Sequence, residues 1–211
     1  MSKENANQEK GFSLIELLTA MVISLIILGA TVAVFSGALS TRTRESSRTD
    51  AITSAQAALN IMSREIGNAG YGLTLSNGLV YGDCDTDKLR FRANIQNTGT
   101  SGAETSQDGE DVTYFYDSTT HSVLRFDKNA SETSGIINRV SDVNFTYYNY
   151  TFDPVTKVVT VTQGAAATNT GRVRIELLVT LPDVQGQPSG RVEKVWSDVT
   201  LRNSPYMLGQ Y

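Results

Sequence analysis

The chain has one cysteine, one histidine, one tryptophan and four prolines among its 211 residues. A lone thiol, Cys84, cannot close a bridge within the chain, so no internal disulfide framework holds the fold. One imidazole, His121, together with one cysteine excludes nearly all zinc sites and any Ser-His-Asp chemistry with a histidine to spare. A surplus of cations is also missing. The 18 Lys and Arg stand against 22 Asp and Glu, a formal net charge of -4, whereas a generic binder of phosphate backbones needs a basic face. No proline occurs before Pro154, so nothing of that kind interrupts a long N-terminal helix. With 40% hydrophobic residues and 17 glycines the chain is neither disordered nor collagen-like.

What is present is unevenly placed. Residues 1–11 (MSKENANQEKG) are polar, with Lys3 and Lys10 balanced by Glu4 and Glu9. From Phe12 to Phe35 the only charge is Glu16, and Leu17 to Phe35 is an uncharged run of 19 residues. As a helix that run spans ~29 Å, the thickness of a hydrocarbon core. It is too long for the apolar region of a removable secretory signal. An acid inside such a run points to function, because a carboxylate at mid-bilayer costs about 2.5–3.5 kcal/mol. The competing reading places Glu16 at the interface, where it snorkels to water. Basic residues do not set the orientation: Lys3 and Lys10 precede the span, and Arg42, Arg44 and Arg48 follow it.

The order Lys10-Gly11-Phe12-Ser13-Leu14-Ile15-Glu16-Leu17-Leu18 resembles the processing motif of type IV prepilins and type II secretion pseudopilins. The resemblance implies that prepilin peptidase cuts between Gly11 and Phe12 on the cytoplasmic side and that Phe12 is then N-methylated. It implies that Glu16 is an assembly residue, pairing with the Phe12 amine of a neighbouring subunit. Hydrocarbon gives helices no hydrophobic reason to associate, so a polar contact of this kind can set their stagger. The implied partners are prepilin peptidase, other minor and major pilins, an inner-membrane assembly platform and, before assembly, membrane lipid. The implied location is the bacterial inner membrane, single pass with a periplasmic head, followed by a pilus or pseudopilus.

Beyond the apolar run, Ile52, Ala55, Leu59, Met62 and Ile66 recur at steps of three and four, one face of a helix, and Gly67 and Gly70 end it. A continuous helix from Phe12 to Ile66 measures ~82 Å. The Ser- and Thr-rich stretch 36–49 is where bending or fraying is expected. The remainder alternates as strands. Leu89, Phe91 and Ala93 form one, and Val112–Tyr116 with Val123–Phe126 flank a five-residue hairpin loop. Val143, Phe145 and Tyr147 form another, followed by Val158–Thr162. Val173 to Leu181 is the clearest strand, and it stops at Pro182. The QGQPSG cluster at 185–190 turns the chain into a final strand over Arg191–Leu201. Residues 94–111 and 163–171 read as polar loops. The expected architecture is α+β and pilin-like: a long N-terminal helix whose amphipathic second half packs on a C-terminal antiparallel sheet. Its segments are a leader at 1–11, a membrane or fibre-core helix at 12–36, an amphipathic helix at 37–70 and a β-rich head at 71–211.

Two short stretches narrow the resemblance. Arg64-Glu65-Ile66-Gly67-Asn68-Ala69-Gly70-Tyr71 and Val199-Thr200-Leu201-Arg202-Asn203 resemble PilW-type minor pilins, with J-type pseudopilins as near relatives. Ala33 stands where major pilins bear a helix-bending proline, and Cys84 lacks the partner of their C-terminal loop. Both differences favour a minor, tip or priming subunit. The implied role is structural rather than enzymatic, in a pilus or, alternatively, a type II secretion system. A secreted or anchored binding module is the reading from another class.

Other candidate chemistry is thin. Asp83, Asp85 and Asp87 open like a calcium loop, but Lys88 and Asn94 occupy the positions where glycine and glutamate are needed, so a solvated turn is expected and no cofactor. Cys84, set between two aspartates, is expected to have a raised thiol pKa. His121 reads as a turn residue. In Tyr147-Tyr148-Asn149-Tyr150, alternation puts Tyr147 on the face opposite Tyr148 and Tyr150, one of the two faces being core. Asn129, Asn144 and Asn149 begin N-x-S/T triplets typical of this composition.

Overall fold

A computed structural model describes residues 11–96, 104–183 and 188–208. The first element, α1, is one α-helix over Leu14–Ile66, 53 residues or ~80 Å. It begins two residues later than Phe12, because Ser13 serves as the residue that caps it. The helix runs unbroken through the stretch where bending was expected. The hydroxyls of Thr31, Thr41 and Thr43 donate back to the carbonyls of Ile27, Gly37 and Leu39 at 2.8–3.1 Å. Bonding four residues back occupies these side chains within the helix.

The chain divides into two compact units between Ser46 and Ser47. In the first, every residue from Gly11 to Leu39 is exposed. In the second, the helical stripe is buried: Ala55, Ala58, Leu59, Met62 and Ile66 are each at most 4% exposed. Ile52 lies at the margin of the stripe, and Ala58 joins it as a further buried residue.

The β-rich part contains two antiparallel sheets rather than one. The first is a meander of β1 (Lys88–Arg92), β2 (Asp111–Asp117), β3 (Ser122–Asp127) and β4 (Glu132–Asn138), in that order. The second comprises β5 (Val140–Phe152), β6 (Val159–Gly164), β7 (Thr170–Thr180) and β8 (Val192–Thr200), in the order β6-β5-β7-β8. Arg139 alone separates β4 from β5, and its left-handed backbone (φ 58°) carries the chain from one sheet to the next. A short helix, α2, closes the described chain at Pro205–Leu208. β4 and α2 carry weak periodicity: β4 has four successive exposed residues, and α2 is a single turn.

One core joins helix and sheets. Leu89, Phe91, Val112, Tyr114 and Val123 from the first sheet meet Val143, Phe145, Tyr147, Val173, Ile175 and Leu177 from the second, around the buried stripe of α1. Polar clamps surround it. Glu65 Oε2 accepts from the Tyr114 hydroxyl at 2.8 Å and from Arg125 Nε at 2.9 Å. Burial, reinforced by Glu65, raises the Tyr114 phenol well above its ordinary value, so it stays a donor. On the other sheet, Arg48 pairs with Glu193 at 3.0 Å and Ser63 bonds Ser197 at 3.1 Å.

After the helix the chain crosses itself. Gly70 and Gly78 have φ of 77° and 80°, and a Cβ on Gly78 would collide with the Gly70 nitrogen. Only glycine permits that approach. Both residues also bond the edge of β1, Gly70 N–H to Arg92 O and Arg92 N–H to Gly78 O. Beside the crossing, Asn77 is fully buried. Its Nδ2 donates to Ala167 O and Thr170 O, while its Oδ1 accepts from Leu79 N–H and the Tyr81 hydroxyl. Asn77→Ala leaves several of these buried groups unpaired at ~1–3 kcal/mol each. The expected result in urea unfolding is a loss of about 2–4 kcal/mol with the slope unchanged.

Candidate functional site

Of the three residues singled out at the N-terminus, Glu16 lies in the first turn of α1, and Gly11 and Phe12 just precede it. Leu17 N–H donates to Ser13 O at 3.2 Å, the first bond of the helical ladder, which makes Ser13 the cap. Glu16 Oε2 in turn accepts the Ser13 N–H at 3.0 Å. A carboxylate reaching back from the third helical position to the cap amide is one half of a capping box. The position is also favoured by the helix dipole, by roughly 0.3–1 kcal/mol. The sequence signal was the order Ser13-x-x-Glu16 before an apolar run, which names Ser13 as a positioning residue beside the three already identified.

The carboxylate is therefore fixed by one oxygen. Its other oxygen, Oε1, accepts no hydrogen bond among the described residues. Phe12 is 88% exposed and Leu14 83%, and nothing lies within 4 Å of the place a Gly11 Cβ would occupy. α1 is the helix long and apolar enough to cross a membrane, and its apolar window has no residue buried. A bare apolar rod with a held acid at its tip can do two things: dissolve in hydrocarbon, and offer an anion to a cation that arrives there.

Residues 6–32 match the model of the prokaryotic N-terminal methylation motif. The motif places methylation and a membrane helix at this end of the chain and supports a prepilin-like protein. It implies processing by prepilin peptidase and assembly with other pilins, a structural rather than enzymatic role. The matched residues contain Gly11, Phe12 and Glu16 and stop within the apolar run, so the β-rich head lies outside the motif. Comparisons with curated proteins and with solved structures gave no match.

The two head segments compared with minor pilins come together in space. Asn203 Nδ2 donates to the carbonyls of Asn68 and Ala69 at 3.3 and 3.1 Å, just past the motif-bearing helix. Leu201 is fully buried, and a Cβ on Gly67 would stand 3.2 Å from the Arg202 guanidinium. The segment after the last strand thus ties down the turn that follows α1.

The acidic turn is a seam between the sheets. Asp83 gives one oxygen to Lys88 Nζ at 3.2 Å and the other to Arg90 at 2.6 Å, and Arg90 holds its carboxyl below the usual range. Asp85 Oδ1 accepts the Thr86 N–H. The carbonyls of Asp85 and Thr86 accept from the Tyr147 hydroxyl and Phe145 N–H of β5. Both carboxylate oxygens of Asp83 and one of Asp85 are thus engaged by protein donors. The Cys84 thiol donates to Arg90 O at 3.3 Å, and burial pushes its pKa up. That cause exceeds the Asp83 charge, so the reason differs from the one the sequence suggested.

His121 sits at the expected hairpin turn with φ 51°, its Nδ1 3.2 Å from the Tyr116 hydroxyl. Tyr147 is 3% exposed in the core, whereas Tyr148 faces outward beneath the Arg172 guanidinium at 4.1 Å. Tyr150 packs over Gly171 beside Tyr206 of α2.

Next to the seam, Asp111 is 3% exposed. Burial pushes its carboxyl up, but two bonds from Arg90 at 2.7 Å and one from Arg92 at 3.0 Å outweigh burial and hold it below the usual carboxylate range. A folded pKa below the unfolded one contributes stability above about pH 4, which is lost as pH falls through the folded value. Melting temperature followed by circular dichroism should fall on acidification below about pH 4. Asp111→Asn should lower it at neutral pH and flatten that acid decline.

Proposed function

We propose that this chain is a prepilin-type structural subunit, cut between Gly11 and Phe12, N-methylated on Phe12, and built into a filament through its apolar helix. The observation that carries this reading is the methylation-motif match over 6–32. Two features agree with it. Gly11 has neither a positive φ nor a close neighbour, so nothing within the described chain requires glycine there. A requirement imposed by a second protein, the peptidase, accounts for it. Glu16 keeps one oxygen unoccupied while the other is tied to Ser13.

After cleavage the Phe12 amine is a cation at the tip of each rod. An unpaired carboxylate in hydrocarbon is costly, so Glu16 of one subunit and the ammonium of the next stabilise each other and set the stagger between them. The segments follow: leader 1–11, fibre-core helix 12–36, amphipathic helix 37–70 and head 71–211, with the head periplasmic before extraction from the inner membrane. Within the wider group we place the chain with PilW-type minor pilins that start or cap a pilus. The A-G-Y step at 69–71 and the L-R-N end at 201–203 support that placement. Co-purification with secretion pseudopilins instead would assign it to the J-type alternative.

Mass spectrometry of the mature protein should give N-methyl-Phe12 as the first residue; a chain beginning at Met1 rejects the reading. Glu16→Gln keeps an acceptor for the Ser13 N–H but removes the charge. It should be cut normally yet enter filaments or their initiating complex at least tenfold less, ~1.4 kcal/mol or more. Normal incorporation of that variant at native expression removes the ion pair from the mechanism.

A further inference from the structure

Antiparallel sheets end in rows of unpaired N–H and C=O groups, and natural edges are protected by charge, proline, bulges or cover. Three of the four edges here are so protected. β8 carries Glu193, Lys194 and Asp198, β4 opens with Glu132, and β1 is covered by bonds from Gly70, Gly78 and Val80. The fourth edge, β6, has none of these. Every residue of Val159–Gly164 is exposed, and no charge or proline occurs from Val158 to Gly171.

The hairpin that carries β6 also outruns its sheet. β5 pairs with β7 only as far as Asn149, and Asn169 holds Tyr150, so Thr151–Phe152 and Val159–Thr160 form a two-stranded arm. Such an arm is marginal alone and gains from a third strand. Its tip is a hydrogen-bonded turn: Asp153 accepts from Val155 N–H, Thr156 N–H and the Thr156 hydroxyl. Val161 and Val159 lie opposite Tyr150 and Phe152 on one face, with Phe152 46%, Val161 44% and Val159 39% exposed.

The backbone phase of β6 follows from its ends. Asp153 N–H bonds Val158 O, and Tyr150 N–H bonds Asn169 O on the far side of β5. Alternation then directs the N–H and C=O of Val159, Val161 and Gln163 away from β5, toward the open edge.

We propose that β6 is the docking edge for a second copy of this chain, the two β6 strands running antiparallel about Val161. In that register Val161 faces Val161 and Val159 faces Gln163, so every outward group meets an outward group and about six hydrogen bonds form. Nothing charged opposes anything charged; Lys157 falls opposite Ala165 of the other copy. This self-complementarity is what an isologous contact requires, and a strand bearing a charge near its middle would forbid it. The contact is between heads and stands apart from the helix-mediated assembly proposed above.

The test uses disulfide formation in membranes containing the full chain, on a Cys84→Ser background. Val161→Cys places two thiols at a facing pair with Cα atoms ~5.5 Å apart, within disulfide reach. Val155→Cys, at the 87% exposed tip, reports random collision. Val161→Cys should form a chain dimer at least ten times faster than Val155→Cys. Adding Gln163→Pro, which removes one outward N–H and leaves the β5 ladder intact, should slow it at least tenfold. Equal rates at 161 and 155, an undiminished rate with Gln163→Pro, or a bond from 161 to a different polypeptide would each overturn the proposal.

Discussion

Charge in hydrocarbon must be paired or given up, and the N-terminal half of this protein is arranged around that constraint. The apolar residues of α1 make the rod soluble in lipid without giving it any preferred neighbour. In the proposed assembly Glu16 supplies the preference. Its bond to the Ser13 amide holds the carboxylate against the helix end rather than leaving it to sample rotamers, so less freedom is lost when a cation arrives. Capping and pairing are thus compatible roles of one side chain, because a carboxylate has two oxygens and the cap uses one.

The head solves a different problem: how to fasten two sheets to the amphipathic end of a helix without disulfides. The fastening is done by backbone crossing and by buried polar groups. The glycines at 70 and 78 let the chain pass over itself against β1, and Asn77 ties that crossing to the β6–β7 connection. Asn203, just past the last strand, holds the turn that follows α1. Arg90 joins Asp83 to Asp111 beside the seam, where Tyr147 reaches over from the second sheet. The Asp83–Asp87 segment, which looked like half of a calcium loop, is one of these fasteners.

Periodicity revealed most of the architecture and little of its fastening. The helix, its buried stripe and the strands at Leu89, Val112, Val123, Val143 and Val173 all follow from spacing, because each buries one face. The processing motif was equally plain, since a single acid just behind Gly11-Phe12, at the head of an otherwise uncharged apolar run, is an uncommon arrangement. The division into two sheets was hidden: it turns on one left-handed residue, Arg139, and nothing local distinguishes it from an ordinary arginine. β4 was hidden because most of it faces solvent, so no alternation marks it. The cap at Ser13 was visible as a pattern but was overshadowed by the acid it positions.

The threonines that bond back into α1 have an effect on how this chain can move. Polar groups whose bonds are internal need nothing from their surroundings, and that holds in fatty acyl chains as well as in water. Thr31, Thr41 and Thr43 flank the end of the apolar run, where a membrane surface would cut across the helix. With their hydroxyls already satisfied, these threonines do not fix the depth at which the rod rests; the charges of Arg42, Arg44 and Glu45 mark its limit. Sliding outward, toward the head, meets no step in energy from stranded hydroxyls, which suits the extraction from a bilayer proposed above.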